Sequence, residues 1–384
     1  MKAGVYLHIP FCRSRCSYCD FATDVFKNAE TVERYVNALV KEIESFSQRP
    51  TPDDRQLPVD TIYFGGGTPS LLSPAQLEKI LDSIYKRFSI EKNFELTMEM
   101  NPATVTLETL KKYKNLGVNR ASFGAQTFDD RELKRLGRRH TAEDVRETVE
   151  LLRQADFTNV SFDLIAGLPR QTLADWERNL DEALKLKPEH LSLYLLEIHE
   201  GTPLAEQIRS RRQPLPDEDL AGEMYESMLD KTASAGYAQY EISNFSLPGF
   251  ASRHNSKYWR CEPVFAFGVS AHSFDGARAR WANVRDTNRY VSLIENNQTP
   301  VAEKNELDPK QLAAEFAFLR LRLTEGLSLG EYENRFGIDL GREFAEDFRR
   351  LEDAGLIELD DAAGFLKLTR RGFVFSNEVF ALFV

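Results

Sequence analysis

The 384-residue sequence has no apolar run of about 18 residues, the length that a membrane-spanning helix requires. Basic residues are in the minority, with 49 Lys and Arg against 60 Asp and Glu, and the formal net charge is −11. Because nonspecific nucleic-acid binding depends on clustered cations, this balance argues against a nucleic-acid partner. The first residues, MKAGVYLHIPF, lack a signal-peptide layout, since their apolar stretch is short and strand-like. We therefore expect a cytoplasmic protein with no integral membrane segment.

Cysteine is also scarce, yet three of the four cysteines lie in one short segment, FCRSRCSYCD. These are Cys12, Cys16 and Cys19, whereas Cys261 is distant in sequence. A cluster of three cannot pair internally into disulfides. In a reducing compartment such a cluster indicates a metal or redox site more often than structural bridging.

Short apolar runs alternate with amphipathic stretches over roughly two thirds of the chain, a pattern typical of β-α units. The predicted strands are Ala3–Ile9, Val59–Phe64, Phe94–Glu99, Val118–Gln126, Asn159–Ile165 and His190–Glu197. The predicted helices between them are Glu30–Phe46, Pro74–Phe88, Thr106–Leu116, Thr141–Gln154 and Thr172–Leu186. Six such units predict an α/β fold with a parallel sheet and helices outside, as an open sheet or an incomplete barrel.

The β-α rhythm ends after about residue 200. A predicted helix, Asp217–Ala235, precedes an aromatic, loop-like segment, Tyr240–Trp259, and the polar tract Asn296–Pro309 has the composition of a linker. From Lys310 the pattern is mainly helical, with two short strands expected within Gly355–Leu368, around a turn at Asp360–Gly364, as in a small winged-helix-like domain. Residues 301–384 carry 17 acidic and 11 basic side chains, which disfavours duplex DNA binding there.

The spacing Cys12-x3-Cys16-x2-Cys19 offers three thiolates from one loop directly after the first predicted strand. Thiolates are the usual ligands of iron–sulfur clusters, and a four-iron cluster ordinarily takes four of them. Three ligands leave one iron open, and an open position is how a metal site admits a substrate or cofactor. A zinc site that lacks one ligand, or three unrelated buried thiols, are the alternatives.

The C-x3-C-x2-C spacing, with Tyr18 before the last cysteine, resembles the signature of the radical S-adenosylmethionine (SAM) superfamily. The resemblance implies a partial (βα)6 TIM-like barrel over residues 1–295, a small C-terminal domain over 310–384, and a 4Fe-4S cluster held by the three cysteines. In that superfamily SAM chelates the open iron, and an electron from the reduced cluster cleaves it to a 5′-deoxyadenosyl radical. The SAM contacts that carry over by resemblance are Tyr6, Gly66, Gly67, Thr68, Glu99, Gln126, Arg138 and Asp163.

Several of these residues stand at predicted strand ends, where the site of a parallel barrel gathers. The run Gly65-Gly66-Gly67 is weak evidence alone, because a flexible turn has the same composition. Asp163 lies inside an apolar strand, and a charged side chain there is costly unless it is paired or functional. The alternative for Asp163 is a buried salt bridge to Arg138 or Arg120.

The order of HIPFC-x3-C-x-Y-C, GGGTP, E-x-NP, S-x-G-x-Q and D-L-I-x-G-L-P resembles the oxygen-independent coproporphyrinogen III oxidase group. Three features favour its second branch, the HemW-type heme chaperones, over the true oxidases. First, Phe21 stands where the oxidase pattern has a fourth cysteine. Second, the sequence starts only 11 residues before Cys12, so no oxidase-like N-terminal arm is expected. Third, residues 254–259 match an HNxxYW motif. The oxidase, or another radical SAM enzyme, remains the alternative.

The HNxxYW segment suits a heme, because imidazole is a normal axial ligand and Tyr and Trp offer flat apolar faces. The candidate heme-binding residues are His254, Asn255, Tyr258 and Trp259, although an isolated His254 is more often a hydrogen-bonded loop histidine. His272, Cys261 and His199 are rival axial ligands. The resemblance implies three cofactors or ligands, namely the 4Fe-4S cluster, SAM and heme. It implies as partner an acceptor hemoprotein, for instance one of a respiratory chain.

Overall fold

The computed structural model describes residues 1–26, 28–46, 58–360 and 364–383. Within these residues the strands are β1 (Ala3–Ile9), β2 (Phe11–Cys12), β3 (Asp24–Val25), β4 (Val59–Gly66), β5 (Ile90–Met100), β6 (Arg120–Gln126), β7 (Val160–Ala166), β8 (His190–Leu195), β9 (Ala238–Glu241), β10 (Asn244–Ser246), β11 (Val264–Phe267), β12 (His272–Phe274), β13 (Ala279–Asn283), β14 (Val301–Glu306), β15 (Leu327–Ser328), β16 (Ile357–Asp360) and β17 (Phe365–Leu368).

The helices in the same residues follow the predicted pattern as far as residue 200 and continue beyond it. They are α1 (Ala29–Ser45), α2 (Pro74–Arg87), α3 (Leu107–Asn115), α4 (Asp130–Arg135), α5 (Ala142–Gln154), α6 (Leu173–Lys185), α7 (Pro203–Arg209), α8 (Glu218–Ser234), α9 (Arg253–Trp259), α10 (Thr287–Glu295), α11 (Pro309–Leu321), α12 (Leu329–Phe336), α13 (Leu340–Glu343), α14 (Ala345–Asp353), α15 (Arg370–Val374) and α16 (Ser376–Phe380). Ser73 and Thr141 cap α2 and α5 in capping boxes, as their positions before Pro74 and Ala142 predict.

A twelve-stranded sheet forms the main body, in the order β14-β13-β12-β11-β1-β4-β5-β6-β7-β8-β10-β9. The six predicted strands, β1 and β4 to β8, are neighbours in chain order and pair in parallel, which confirms the partial (βα)6 barrel. β11 adds a seventh parallel strand beside β1, and antiparallel strands extend both ends of the sheet. In the described residues the outermost strands β14 and β9 do not pair with each other, so the barrel stays open.

Two segments after residue 200 differ from their predictions. The stretch Tyr240–Trp259, predicted as loop-like, contains the end of β9, all of β10 and α9. The stretch Asn296–Pro309, predicted as a linker, contains β14, which pairs with β13 from Ala279–Glu306 to Asn283–Val301. Both predictions were wrong because these short strands are held in the sheet by backbone pairing, without an apolar side-chain pattern. β14, for example, is a largely exposed edge strand of polar residues.

The C-terminal region has helices α11 to α16 around a three-stranded sheet of order β15-β17-β16. The two predicted short strands correspond to β16 and β17, which confirms a small, mainly helical, winged-helix-like unit. Residues 361–363 of the predicted turn lie outside the described residues, and the exact domain boundary stays a prediction. No helix in the described part of the chain has both the length and the apolar character that crossing a bilayer requires.

Candidate functional site: a cysteine loop and a cavity at the barrel mouth

The three clustered cysteines lie on the loop that leaves β1 and returns through β3. All three are partly buried. The Thr68 hydroxyl donates to Cys12 Sγ at 3.6 Å, and Arg138 Nη1 donates to Cys16 Sγ at 3.5 Å. Burial raises the pKa of the Cys12 thiol to about 11, so a thiolate at this position depends on a bound cation.

The glycine run at the end of β4, Gly65-Gly66-Gly67, fixes where the cysteine loop begins. Gly66 has a φ of +109°, a conformation that side-chain-bearing residues rarely adopt. A Cβ added to Gly67 would lie 2.8 Å from backbone atoms of Pro10 and Phe11, so any side chain there would displace the loop. The run is therefore a close-packing requirement rather than a flexible turn.

A hydrogen-bond chain connects the loop to the neighbouring strand ends. Arg138 Nη2 donates to Asn101 Oδ1 at 2.8 Å, and Asn101 Nδ2 donates to Thr68 Oγ1 at 2.8 Å. On the far side of the loop, His8 Nε2 hydrogen-bonds to the carbonyl of Ala22 at 2.8 Å. The loop is thus held from β1, β4, β5 and the segment after β6, before any cofactor is considered.

A cavity of about 630 Å³ opens beside the cysteine loop at the carboxyl ends of the parallel strands. It brings together most of the predicted site residues, namely Cys12, Cys16, Cys19, Gly66, Gly67, Glu99, Gln126, Arg138, Asp163, Asn255 and Trp259. Four further predicted residues are not part of this lining, namely Tyr6, Thr68, His254 and Tyr258, and Tyr258 is 38% exposed. A volume of this size suits a small-molecule or cofactor site.

Two partly buried carboxyl groups line the cavity. Glu99 accepts hydrogen bonds from the Tyr63 hydroxyl at 2.7 Å and from the Gly66 amide at 3.0 Å, and burial raises its pKa to about 7. Burial also raises the pKa of Asp163, which hydrogen-bonds to Ser192. Among the described residues Asp163 forms no ion pair within 4.0 Å, so the expected alternative, a salt bridge to Arg138 or Arg120, is absent.

The HNxxYW segment forms α9 and divides its residues between the core and the cavity. His254 is 1% exposed, with Nδ1 hydrogen-bonded to Thr61 Oγ1 at 2.8 Å and Nε2 to the Tyr258 hydroxyl at 3.1 Å. Burial lowers the pKa of His254 to about 3, which keeps the ring neutral. Asn255 and Trp259 line the cavity. Iron coordination by His254 would therefore require one of its two hydrogen bonds to break.

The rival axial ligands occupy different surroundings. His199 lines the cavity and its side chain is 46% exposed, beside Glu197 at 3.7 Å. Cys261 is buried in the hydrophobic core outside the cavity, and burial raises the pKa of its thiol to about 11. His272 is exposed on β12 and is not part of the cavity lining.

The cysteine loop fits a cluster better than a single metal ion. In the described residues no three His, Cys, Asp or Glu side chains converge on one point as a mononuclear site requires. A 4Fe-4S cluster takes one cysteine per iron, so its three ligands stand apart. The donors from Thr68 and Arg138 to two of the sulfurs suit anionic thiolates in such a cluster.

Comparisons with known proteins agree with this geometry. The model of the Radical SAM superfamily matches residues 6–183, and that of the HemN C-terminal domain matches residues 307–375. The chain is 38% identical to heme chaperone HemW of Bacillus subtilis, over 100% of this chain and 99% of that protein. It is 31% identical to heme chaperone HemW of Escherichia coli, over 99% and 98% of the two chains.

The chain belongs to the HemW family of radical SAM proteins. Its fold is also that of the Escherichia coli coproporphyrinogen III oxidase HemN, a radical SAM enzyme, with a TM-score of 0.84. That match covers 100% of this chain and 90% of the oxidase at 22% identity, so it supports the architecture alone. The family resemblance predicted from the cysteine spacing and strand-end motifs is confirmed.

Other residues of the cavity were missed as site residues or noted only as salt-bridge partners. They include Tyr63, Arg120, Ser192, Glu241, Asn244 and Arg322. Arg120 had a usable signal, because it is a charged residue at the start of a buried strand, and the argument applied to Asp163 applies to it equally. Arg322 had no such signal in the sequence. It directly follows α11 and reaches the cavity because its guanidinium lies 4.2 Å over the Trp259 ring.

The close packing of the glycine run against the cysteine loop can be tested by substitution. We expect Gly67→Ala to lower the iron content and visible absorbance of the reconstituted protein severalfold, because the added Cβ displaces Pro10 and Phe11. Gly222→Ala is the matched control, since a Cβ on this α8 residue meets nothing within 4 Å. Equal iron content in both variants would contradict the packing argument.

Proposed function

We propose that this protein is a heme chaperone, which binds heme together with a 4Fe-4S cluster and SAM and transfers the heme to an acceptor hemoprotein. The observation that carries the proposal is the single cavity shared by the cysteine loop, the SAM-type strand ends and Trp259 of the HNxxYW segment. The full-length similarity to proteins named heme chaperone HemW supports it. The proposed location is the cytoplasm, where reducing conditions keep the three thiols available, and a respiratory-chain hemoprotein is a suitable acceptor.

The proposed cofactor residues follow from the loop and the strand ends. Cys12, Cys16 and Cys19 ligate three irons, and together with SAM the cluster supplies one-electron chemistry. The protein's own residues orient the cluster and SAM and shield them from solvent. Arg138 donates to a ligating sulfur and keeps that side of the loop fixed, while the partly buried Glu99 and Asp163 offer oxygens to ribose hydroxyl groups. Tyr6, Gly66, Gly67, Thr68 and Gln126 complete the proposed SAM site.

The proposed heme site is the remainder of the cavity. Apolar side chains beside the cysteine loop, including Phe21, Ile165 and Leu195, offer contact for a flat macrocycle, and Trp259 offers a ring face. Among the described histidines, His199 is the one that lines the cavity, so we propose it as an axial ligand. His254 then acts behind the site, because its hydrogen bond with Thr61 fixes α9 to β4, and Tyr258 hydrogen-bonds to the other ring nitrogen of His254.

The oxidase alternative predicts turnover, whereas the chaperone proposal predicts stoichiometric binding. The anaerobic, cluster-reconstituted protein is given coproporphyrinogen III with reductant and SAM, and in parallel is titrated with heme. We expect no protoporphyrinogen beyond background, and a Soret change that saturates near one heme per chain. Multiple turnovers to protoporphyrinogen, or a failure to bind heme, would contradict the proposal.

The choice of axial ligand has its own test. We expect His199→Ala to shift the Soret maximum of bound heme and weaken binding by about tenfold, because an iron–imidazole bond is lost. His254→Ala is expected to keep the wild-type Soret position, since both nitrogens of that ring are already hydrogen-bonded. The opposite result, with the spectrum changed only by His254→Ala, would return His254 to the ligand position.

A further inference from the structure

Arg120 is a buried cation that forms no ion pair in the part of the chain that the structure describes. It begins β6, is 1% exposed, and lines the cavity. Its Nε and Nη1 atoms have no hydrogen-bond partner, and no carboxylate lies within 4.0 Å of its guanidinium, among the residues that the structure describes. Buried charged groups are normally paired, because an unpaired one loses its hydration without compensation. An unsatisfied arginine that lines a cavity therefore indicates a ligand that supplies the missing acceptor.

The two nearby carboxyl groups do not fill this role. Glu99 and Asp163 interact with Arg120 through space without forming an ion pair. Glu99 already accepts from Tyr63 and Gly66, and Asp163 from Ser192. The positive charge of Arg120 is thus not neutralised by an ion pair with either carboxylate. This is expected of an arginine that binds an anionic ligand.

Arg120 is also separated from the cysteine loop. Gln126 ends β6 at the cavity mouth, and the six residue steps from Arg120 to Gln126 span roughly 20 Å along the backbone. Arg120 pairs with Thr97, which pairs with Tyr63, and the Tyr63 ring stacks on His254 at 5.0 Å. The backbone of Arg120 therefore lies at the level of α9, and its guanidinium extends far enough to interact with Glu99 and Asp163 of the proposed SAM site.

Other unsatisfied polar atoms occur in the same cavity. Trp259 Nε1, Asn244 Oδ1 and Arg322 Nε are buried without a hydrogen-bond partner in the described residues, and all three side chains line the cavity. Arg322 adds a second positive charge, which its 3.3 Å contact with Glu241 offsets in part. The cavity therefore offers several unpaired polar atoms to a ligand.

We infer that Arg120 binds a carboxylate of the heme cargo, as a specificity-determining residue that recognises a propionate side chain. The planar guanidinium presents parallel donors that match a carboxylate in two hydrogen bonds. The inference rests on the proposed function, in which heme is the cargo. Heme carries its propionates on one edge, so a propionate can bind Arg120 while an apolar face of the macrocycle contacts Trp259. The carboxylates then enter this end of the cavity first.

Heme and heme dimethyl ester, which lacks free carboxylates, separate this role from a structural one. Both are titrated optically into wild type, Arg120→Gln, Arg120→Lys and the surface control Arg131→Gln. We expect Arg120→Gln to weaken heme binding about 10- to 100-fold, the usual effect of losing a charged hydrogen bond, and to leave ester binding within about twofold. Arg120→Lys should recover part of the loss, and Arg131→Gln should match wild type.

Each other outcome has a separate meaning. If wild type binds neither heme nor its ester, the proposed function fails. If wild type binds heme but Arg120→Gln weakens heme and ester equally, Arg120 is structural and the inference is overturned. If Arg120→Gln leaves heme binding intact and instead weakens SAM binding, measured by calorimetry, the arginine serves the cofactor and the inference is equally overturned. Iron content and thermal melting of each variant establish that the fold is retained.

Discussion

The parallel pairing of β1 with β4 is the constraint on which the site depends. In this register Ile9 lies opposite Gly66, and the Gly67 amide donates to the Ile9 carbonyl at 2.8 Å. The cysteine loop consequently starts in contact with a glycine run that has no room for a Cβ. Everything else at the mouth of the barrel, from the Thr68 contact with Cys12 to the Arg138 contact with Cys16, follows from that starting point.

The inner face of the sheet is unusually polar for a fold covered by helices. His190 is completely buried between Ser161 and Tyr240, and His254 between Thr61 and Tyr258, with each ring nitrogen hydrogen-bonded. Such satisfied groups stabilise a rigid interior. Arg120 differs from these two histidines, because its Nε and Nη1 atoms are buried without a hydrogen-bond partner in the described residues.

Apolar patterning and cysteine spacing predict the core of the fold and the cluster loop, because both are local properties of the chain. The six parallel strands contain short runs rich in apolar residues, as expected of strands covered on both faces. β14 and β10 are short strands held by backbone pairing, which leaves little side-chain signal. The sequence does not predict whether His254 faces a ligand or the core, or that Arg120 lacks a hydrogen-bond partner. Both depend on neighbours in space that are distant in sequence.

The central claim is that three cysteines hold a four-iron cluster with one iron free to take another ligand. Mössbauer spectroscopy of the anaerobic protein, reconstituted with iron-57, tests it most directly when spectra are compared with and without SAM. The account predicts a cubane spectrum in which SAM alters about a quarter of the iron, the single site without cysteine. A mononuclear spectrum, or a cluster in which no iron responds to SAM, would contradict it.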